Sequence, residues 1–220
     1  CIRDSAHTIV LFVFISRFCT FHNTCNVLLE TDFVQSNFPL VLPPEQTKGI
    51  TLHSGELALG LVPPEHLGWH ITEAIEVAGA RRVGHAVDIA HTPELYKLLR
   101  KMAKDGILVE INLTSNDVIL GVKYPDHPFE LYMEYNVPMA LSTDDEGVSR
   151  IDLTHEYQRA AQTFNLSYAR LRELSRNSLQ FNFLPGAALF EDTFAGDMVG
   201  PCVGESAADE ELAAKCQAFL

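Results

Sequence analysis

Several common signals are scarce in this 220-residue chain. Cysteine occurs five times, at Cys1, Cys19, Cys25, Cys202 and Cys216, and never between residues 26 and 201. The odd count and the scatter do not suggest a disulfide framework, and without a C-x-x-C pair a structural thiolate zinc site is not expected. Basic residues are few: 16 Lys and Arg against 29 Asp and Glu, a net charge of -13. That balance argues against a nucleic-acid partner, which needs basic patches. Long apolar runs are missing as well. The run Ile9 to Ile15 (IVLFVFI) is too short to span a bilayer, so no membrane partner is expected. It reads as a buried strand, with the apolar core of a targeting segment as the alternative. No His-x-His pair occurs; His7 and His22, fifteen positions apart, are the histidines before His53.

What remains is an ordinary soluble composition, 47% hydrophobic and 20% charged, in a chain long enough for one domain with a sizeable core. From Gly49 onward apolar strands and helices alternate. Gly49–His53, Arg82–His85, Ile107–Leu113 and Pro138–Ser142 read as strands, short and apolar as in a parallel sheet buried on both faces. Ile71–Ala78, Pro93–Lys104 and Pro128–Tyr135 read as the intervening helices. In the second, Thr92 is the expected N-cap, Pro93 the first helical residue and Gly106 the stop. Leu95, Leu98, Leu99 and Met102 give it one apolar face. Leu153–Phe164 and Ser167–Phe181 read as two later helices, and Ala207–Ala218 as a last surface helix. The strands recur about every thirty residues, the size of a βαβ unit. The fold class is therefore α/β, a doubly wound sheet or a (β/α)8 barrel.

The polar residues of interest stand where strands end: His53 and Glu56, then His85, then Thr114-Ser115-Asn116, then Asp144 and Asp145. In parallel α/β folds the carboxyl ends of the strands form one rim, where active sites lie. A lone strand-end His is more often structural, and paired Asp often only cap a helix. The coincidence on one rim favours chemistry. Imidazole and carboxylate suit zinc, and a carboxyl beside a polarised water can shuttle protons. His66, His70, His91 and His155 read as surface or capping residues. Trp69 and the Leu61–Leu67 stretch read as pocket wall or plain core.

The set TLHSGE (Thr51–Glu56), RVGHAVD (Arg82–Asp88), INLTSN (Ile111–Asn116) and LSTDDEGV (Leu141–Val148) resembles the adenosine deaminase family, in order and spacing. His127-Pro128 and Arg176-Asn177-Ser178 match too, and the resemblance runs from about Gly49 to Pro185. It implies strands five to eight of a (β/α)8 TIM-type barrel of the metal-dependent hydrolase kind. It implies one Zn2+ ligated by His53 and Asp144, with two further His ligands from a His-x-His pair that this chain does not contain. It implies Glu56 as proton donor to the purine N1, His85 as the residue positioning and activating the attacking water, and Asp145 as the contact to purine N7. Glu56 and Asp145 would thus bind substrate as well as act on it. The reaction implied is hydrolytic deamination of adenosine, a small-molecule purine nucleoside, to inosine and ammonia. Two alternatives stay open: a catalytically dead remnant or purine-binding protein on the same fold, and a deaminase for another aminopurine such as adenine or an adenylate.

The expected organisation is a poorly matching segment over 1–48, the C-terminal half of the barrel over 49–185 and an acidic tail over 186–220. Because residue 1 is Cys and the His-x-His pair is missing, the sequence reads as a truncated barrel, either a piece of a longer enzyme or a partial barrel joined to unrelated sequence. A cytoplasmic location is expected; the oligomeric state is not given by the sequence.

Overall fold

The computed structural model describes residues 49–183, 188–203 and Cys216. The segment 1–48, with the expected Ile9–Ile15 strand, lies outside the described residues, as does the expected last helix apart from Cys216, which is helical. Four strands, β1 (Ile50–Ser54), β2 (Ala80–His85), β3 (Leu108–Ile111) and β4 (Met139–Leu141), form one parallel sheet in sequential order. Their register sets His53 beside Gly84, Val83 beside Val109, and Ile111 beside Leu141. All four therefore end on the same side. Parallel neighbours need a crossover, and helices supply it: α1 (His70–Glu76), α2 (Leu95–Asp105), then α3 (Leu113–Leu120) and α4 (Phe129–Glu134). The short α5 (Glu146–Ser149), α6 (Leu153–Thr163) and α7 (Tyr168–Gln180) follow. This is α/β architecture with the sequential parallel order of a (β/α)8 barrel segment.

One continuous core runs through these layers, from Leu52, Ile71 and Val83 to Tyr132, Met139 and Leu174. Leu98, Leu99 and Met102 are its α2 contribution, on the face that the sequence spacing marks, with Leu95 packed against it. Gly106 ends α2 in the left-handed region at φ 62°, as a helix-stop glycine does. On α7, Ser167 caps the helix by accepting from the Arg170 N–H, and Asn177 donates to the Met139 carbonyl at 2.8 Å, tying the helix to β4. No helix among the described residues is long and apolar enough to cross a membrane.

Local expectations fail in three places. Helix α2 begins at Leu95, not Pro93, and Thr92 does not cap it. Instead Thr92 closes a 3-10 turn over Val87–His91, its hydroxyl buried without a partner. Strand β3 stops at Ile111, and Leu113 already belongs to α3, so Thr114-Ser115-Asn116 form a helical turn at the rim rather than a strand-end loop. An apolar β-branched run suits a buried strand and a buried helix start equally; tertiary contact decided it. Finally, Cys202 and Cys216 are disulfide-bonded, a contact between tail segments that cysteine counting does not reveal.

The start of α3 is held from a distance. Glu156 of α6 is fully buried and accepts from the Leu113 N–H at 2.9 Å and the Thr114 N–H at 3.2 Å. A carboxylate at a helix N-terminus satisfies donors that have no helical partner and complements the helix dipole. Glu156→Leu should therefore lower stability by about 2–4 kcal/mol, since each buried unpaired group costs about 1–3. A urea titration checks this, and Glu156→Gln should lose less.

Candidate active and metal-binding site

The strand ends turn sharply where the site residues stand. His85 (φ 69°), Ala86 (φ 48°) and Asp144 (φ 55°) all occupy the left-handed region, which non-glycine residues adopt at a cost. Tyr132, fully buried, donates its hydroxyl to the Ala86 carbonyl at 2.6 Å and fixes the first of these turns. Burial and the nearby Asp88 push the Tyr132 phenol well above its ordinary range, so it remains a donor. The Val87 and Asp88 N–H groups donate to the Gly55 carbonyl, and the Asp88 carboxylate accepts from the Gly68 N–H at 2.9 Å. The β2 turn thus holds both ends of the loop that follows Glu56.

The result is a cluster of four side chains from three strand ends. The His53 Nε2 lies 3.0 Å from Glu56 Oε2, the His85 Nδ1 3.5 Å from Glu56 Oε1, and the His85 Nε2 3.7 Å from Asp144 Oδ2. The two imidazoles lean together with centroids 4.3 Å apart. Asp144 also accepts from the Ser115 hydroxyl at 2.8 Å. His85 is only 2% exposed, and its burial holds its pKa below the ordinary value against the opposing pull of Glu56 and Asp144. Burial by itself would raise Glu56, but the hydrogen bond with His53 and the charges of His85 and His53 outweigh it, so the carboxyl lies below its usual range.

Of the five residues singled out in the sequence, the structure joins His53, Glu56, His85 and Asp144 in this chain of contacts. Asp145 stands apart from it: the residue precedes α5, and its backbone carbonyl accepts from the Ser149 N–H. A divalent cation fits the donor set. One ligand atom each from His53, Glu56 and His85 lie within 4.8 Å of one another, a group able to hold a metal ion. Imidazole nitrogen and carboxylate oxygen are donors that such ions take. Glu56 Oε1 is, moreover, buried without a hydrogen-bond partner, a condition a cation relieves.

Sequence reasoning set Asn116 on the rim and His127 in a motif but gave neither a role, and did not single out Asn112. Asn112 and Asn116 face His85, and His127 faces Asn116. The only sequence trace was their place in the INLTSN and His-Pro motifs. His127 is 3% exposed, and burial, with Arg159 and His85 nearby, holds its pKa down to about 4. Its folded pKa is below the unfolded value of about 6.5, so the neutral form is favoured by folding. That stability is complete above the unfolded pKa and is lost as pH falls from about 6.5 toward 4. The contribution is about 3 kcal/mol. His127→Gln should flatten the stability profile over this window, as chemical denaturation at stepped pH would show.

A parallel α/β segment with an imidazole and carboxylate cluster at the carboxyl ends of its strands has the fold of the adenosine deaminase-type barrels. Comparison makes it specific. The family model described as adenosine deaminase matches residues 45–189, and the chain belongs to that family. An adenosine deaminase of Shewanella loihica is 38% identical over 136 residues, 61% of this chain and 38% of the relative. An adenosine deaminase of Clostridium perfringens is 34% identical over 135 residues, 61% of this chain and 37% of the relative. The chain thus spans little more than a third of the length of these relatives. Among solved structures, the N6-methyl-AMP deaminase from Arabidopsis thaliana superposes with a TM-score of 0.50 at 30% identity, covering 62% of this chain and 37% of that one.

Proposed function

We propose that this site belongs to a zinc-dependent deaminase that hydrolyses a 6-aminopurine, adenosine in the first instance, to the 6-oxopurine and ammonia. The observation that carries the reading is the contact chain from His53 through Glu56 and His85 to Asp144, from the ends of β1, β2 and β4. By the family resemblance His53 and Asp144 would hold the ion, whereas the ligand atoms that stand within 4.8 Å of one another are those of His53, Glu56 and His85. Bound zinc supplies Lewis acidity that makes hydroxide available near neutral pH. Water adds its oxygen to C6, one of its two protons goes to N1 and the other to the amino nitrogen, and the C6–N bond breaks to release ammonia. Glu56, resting as a carboxylate beside His53, collects the proton that the water gives up and delivers it to the ring nitrogen N1. His85, buried and held toward its neutral form, orients the water. Asp145 would contact N7 from the α5 side. The pocket would take a small-molecule purine and no nucleic acid, in keeping with the net charge of -13.

A second reading places the amino group on a nucleotide instead, supported by the similarity to the N6-methyl-AMP deaminase. Another keeps purine binding without catalysis, since the His-x-His pair implied by the family resemblance is not in this chain. One experiment separates them. The purified chain is loaded with zinc, desalted and measured for metal content, then offered adenosine, AMP, N6-methyl-AMP and adenine with ammonia release as readout. About one retained zinc per chain with adenosine turnover supports the first reading, and turnover of AMP or N6-methyl-AMP alone supports the second. Retained zinc and purine binding without ammonia supports the third, and neither zinc nor ammonia counts against all three for this chain.

A further inference from the structure

Behind His85 lies a row of hydrogen-bonding groups that starts at a backbone amide. The Phe129 N–H donates to His127 Nδ1 at 3.2 Å. A backbone N–H has no other polarity to offer, so Nδ1 of His127 must be bare. A neutral imidazole then carries its proton on Nε2, which faces Asn116 Oδ1 at 3.2 Å. That proton requires an acceptor, so the oxygen of the Asn116 amide is turned toward His127 and its Nδ2 toward His85. Asn116 Nδ2 lies 3.0 Å from His85 Nδ1 and donates to it. All three side chains are buried: His85 at 2% exposure, His127 at 3% and Asn116 at 0%.

We infer that His127 and Asn116 are positioning residues that set the tautomer of His85, leaving Nδ1 as acceptor and placing the ring proton on Nε2. Nε2 is the nitrogen that faces Asp144 Oδ2, at 3.7 Å. The other neighbours of the ring do not overturn the choice. Asn112 Nδ2 lies 3.2 Å from Nδ1 and 3.3 Å from Nε2, and so selects neither. Glu56 Oε1 is 3.5 Å from Nδ1, beyond hydrogen-bond length, whereas Asn116 is within it. The low pKa of His127 agrees with the neutral ring that the Phe129 amide demands. Orientation of a working histidine by the partner of its other ring nitrogen is a general device. Here the signal originates two residues further out, at a main-chain amide on α4.

The inference deepens the deaminase reading of the same site and rests on it only for its consequence: the Nε2–H is then presented to the water that attacks the purine. The test needs neither substrate nor metal, so its failure and the failure of the deaminase reading are separate results. Imidazole nitrogen spectra of the full chain, labelled with 15N-histidine and metal-free near neutral pH, report which ring nitrogen carries the proton. The His85 signals are assigned by their loss in His85→Asn. A proton on Nε2 with a bare Nδ1 is expected, and a proton on Nδ1 overturns the proposal. In Asn116→Asp a carboxylate replaces the donor, and the His85 proton should move to Nδ1. An unmoved proton in the folded variant overturns the relay. If Asn116→Asp does not fold, His127→Leu decides: a mixture of His85 tautomers supports the relay, and a single Nε2–H tautomer overturns it.

Discussion

Glu56→Gln should lower the deamination rate by about 10²–10⁴-fold, the usual worth of a positioned general acid or base. The amide keeps the volume of the carboxyl and can still meet the His53 Nε2 now 3.0 Å away, but it cannot collect a proton and pass it on. The loss should therefore fall on kcat, with KM little changed, because shape and stacking of the bound purine are untouched. Steady-state kinetics on the substrate found active above would check it. A rate within a few-fold of the parent would remove Glu56 from the proton path and leave it a structural partner of His53. Thermal unfolding of the variant should be measured alongside, since folding favours the charged Glu56 beside His53 and His85, and a loss of stability must be separated from a loss of rate.

Gly55→Ala should lower stability by about 2–5 kcal/mol and, in the same variant, disable the site. Gly55 has φ 75°, a conformation that costs an L side chain about 1–2 kcal/mol. A Cβ there would stand 2.6 Å from Asp88 Oδ1 and 2.7 Å from Ile71 Cγ1. Neither neighbour can retreat freely: Asp88 is tethered to Gly68 and Ile71 is fully buried in the core. The strain is relieved by moving the 55–56 turn, which carries Glu56 away from His53 and His85. Denaturant unfolding gives the first effect and zinc retention the second. A variant of parental stability that keeps the metal would show that the turn tolerates a side chain and that the close approach of the two loops is not what holds Glu56.

The consequence of that tether extends to the whole rim. Glu56 sits on the loop after β1, yet both ends of that loop are fastened to the turn after β2, by the Gly55 carbonyl and the Gly68 amide. His85 belongs to that second turn, and its partners Asn112 and Asn116 belong to the third. Each strand end thus positions the residues of its neighbour, as expected when parallel strands deliver their functional groups to one side.

Much of the architecture was legible in the sequence because its signals are local. Strand β2 ends in His85 at the motif RVGHAVD; α2 carries Leu98, Leu99 and Met102 on one face and stops at a glycine. The four motifs that resemble adenosine deaminases lie at the four strand ends. The residues named for the site, His53, Glu56, His85 and Asp144, meet in space. Asp145 follows the left-handed turn at Asp144 and precedes α5.

What the amino-acid sequence determined by itself is therefore the family, the alternation of strand and helix, and the order in which chemistry-bearing residues arrive. These depend on side-chain periodicity and on glycine and proline, which act over a few positions. The tertiary structure alone decided where β3 gives way to α3, that Thr92 closes a 3-10 turn instead of starting α2, that Cys202 meets Cys216, and that His127 and Glu156 reach the rim from the turn before α4 and from α6. Each depends on a partner 11 to 43 residues away or on how neighbouring segments pack. Burial makes those partners obligatory, because a polar group removed from water must be satisfied by whatever the fold places beside it.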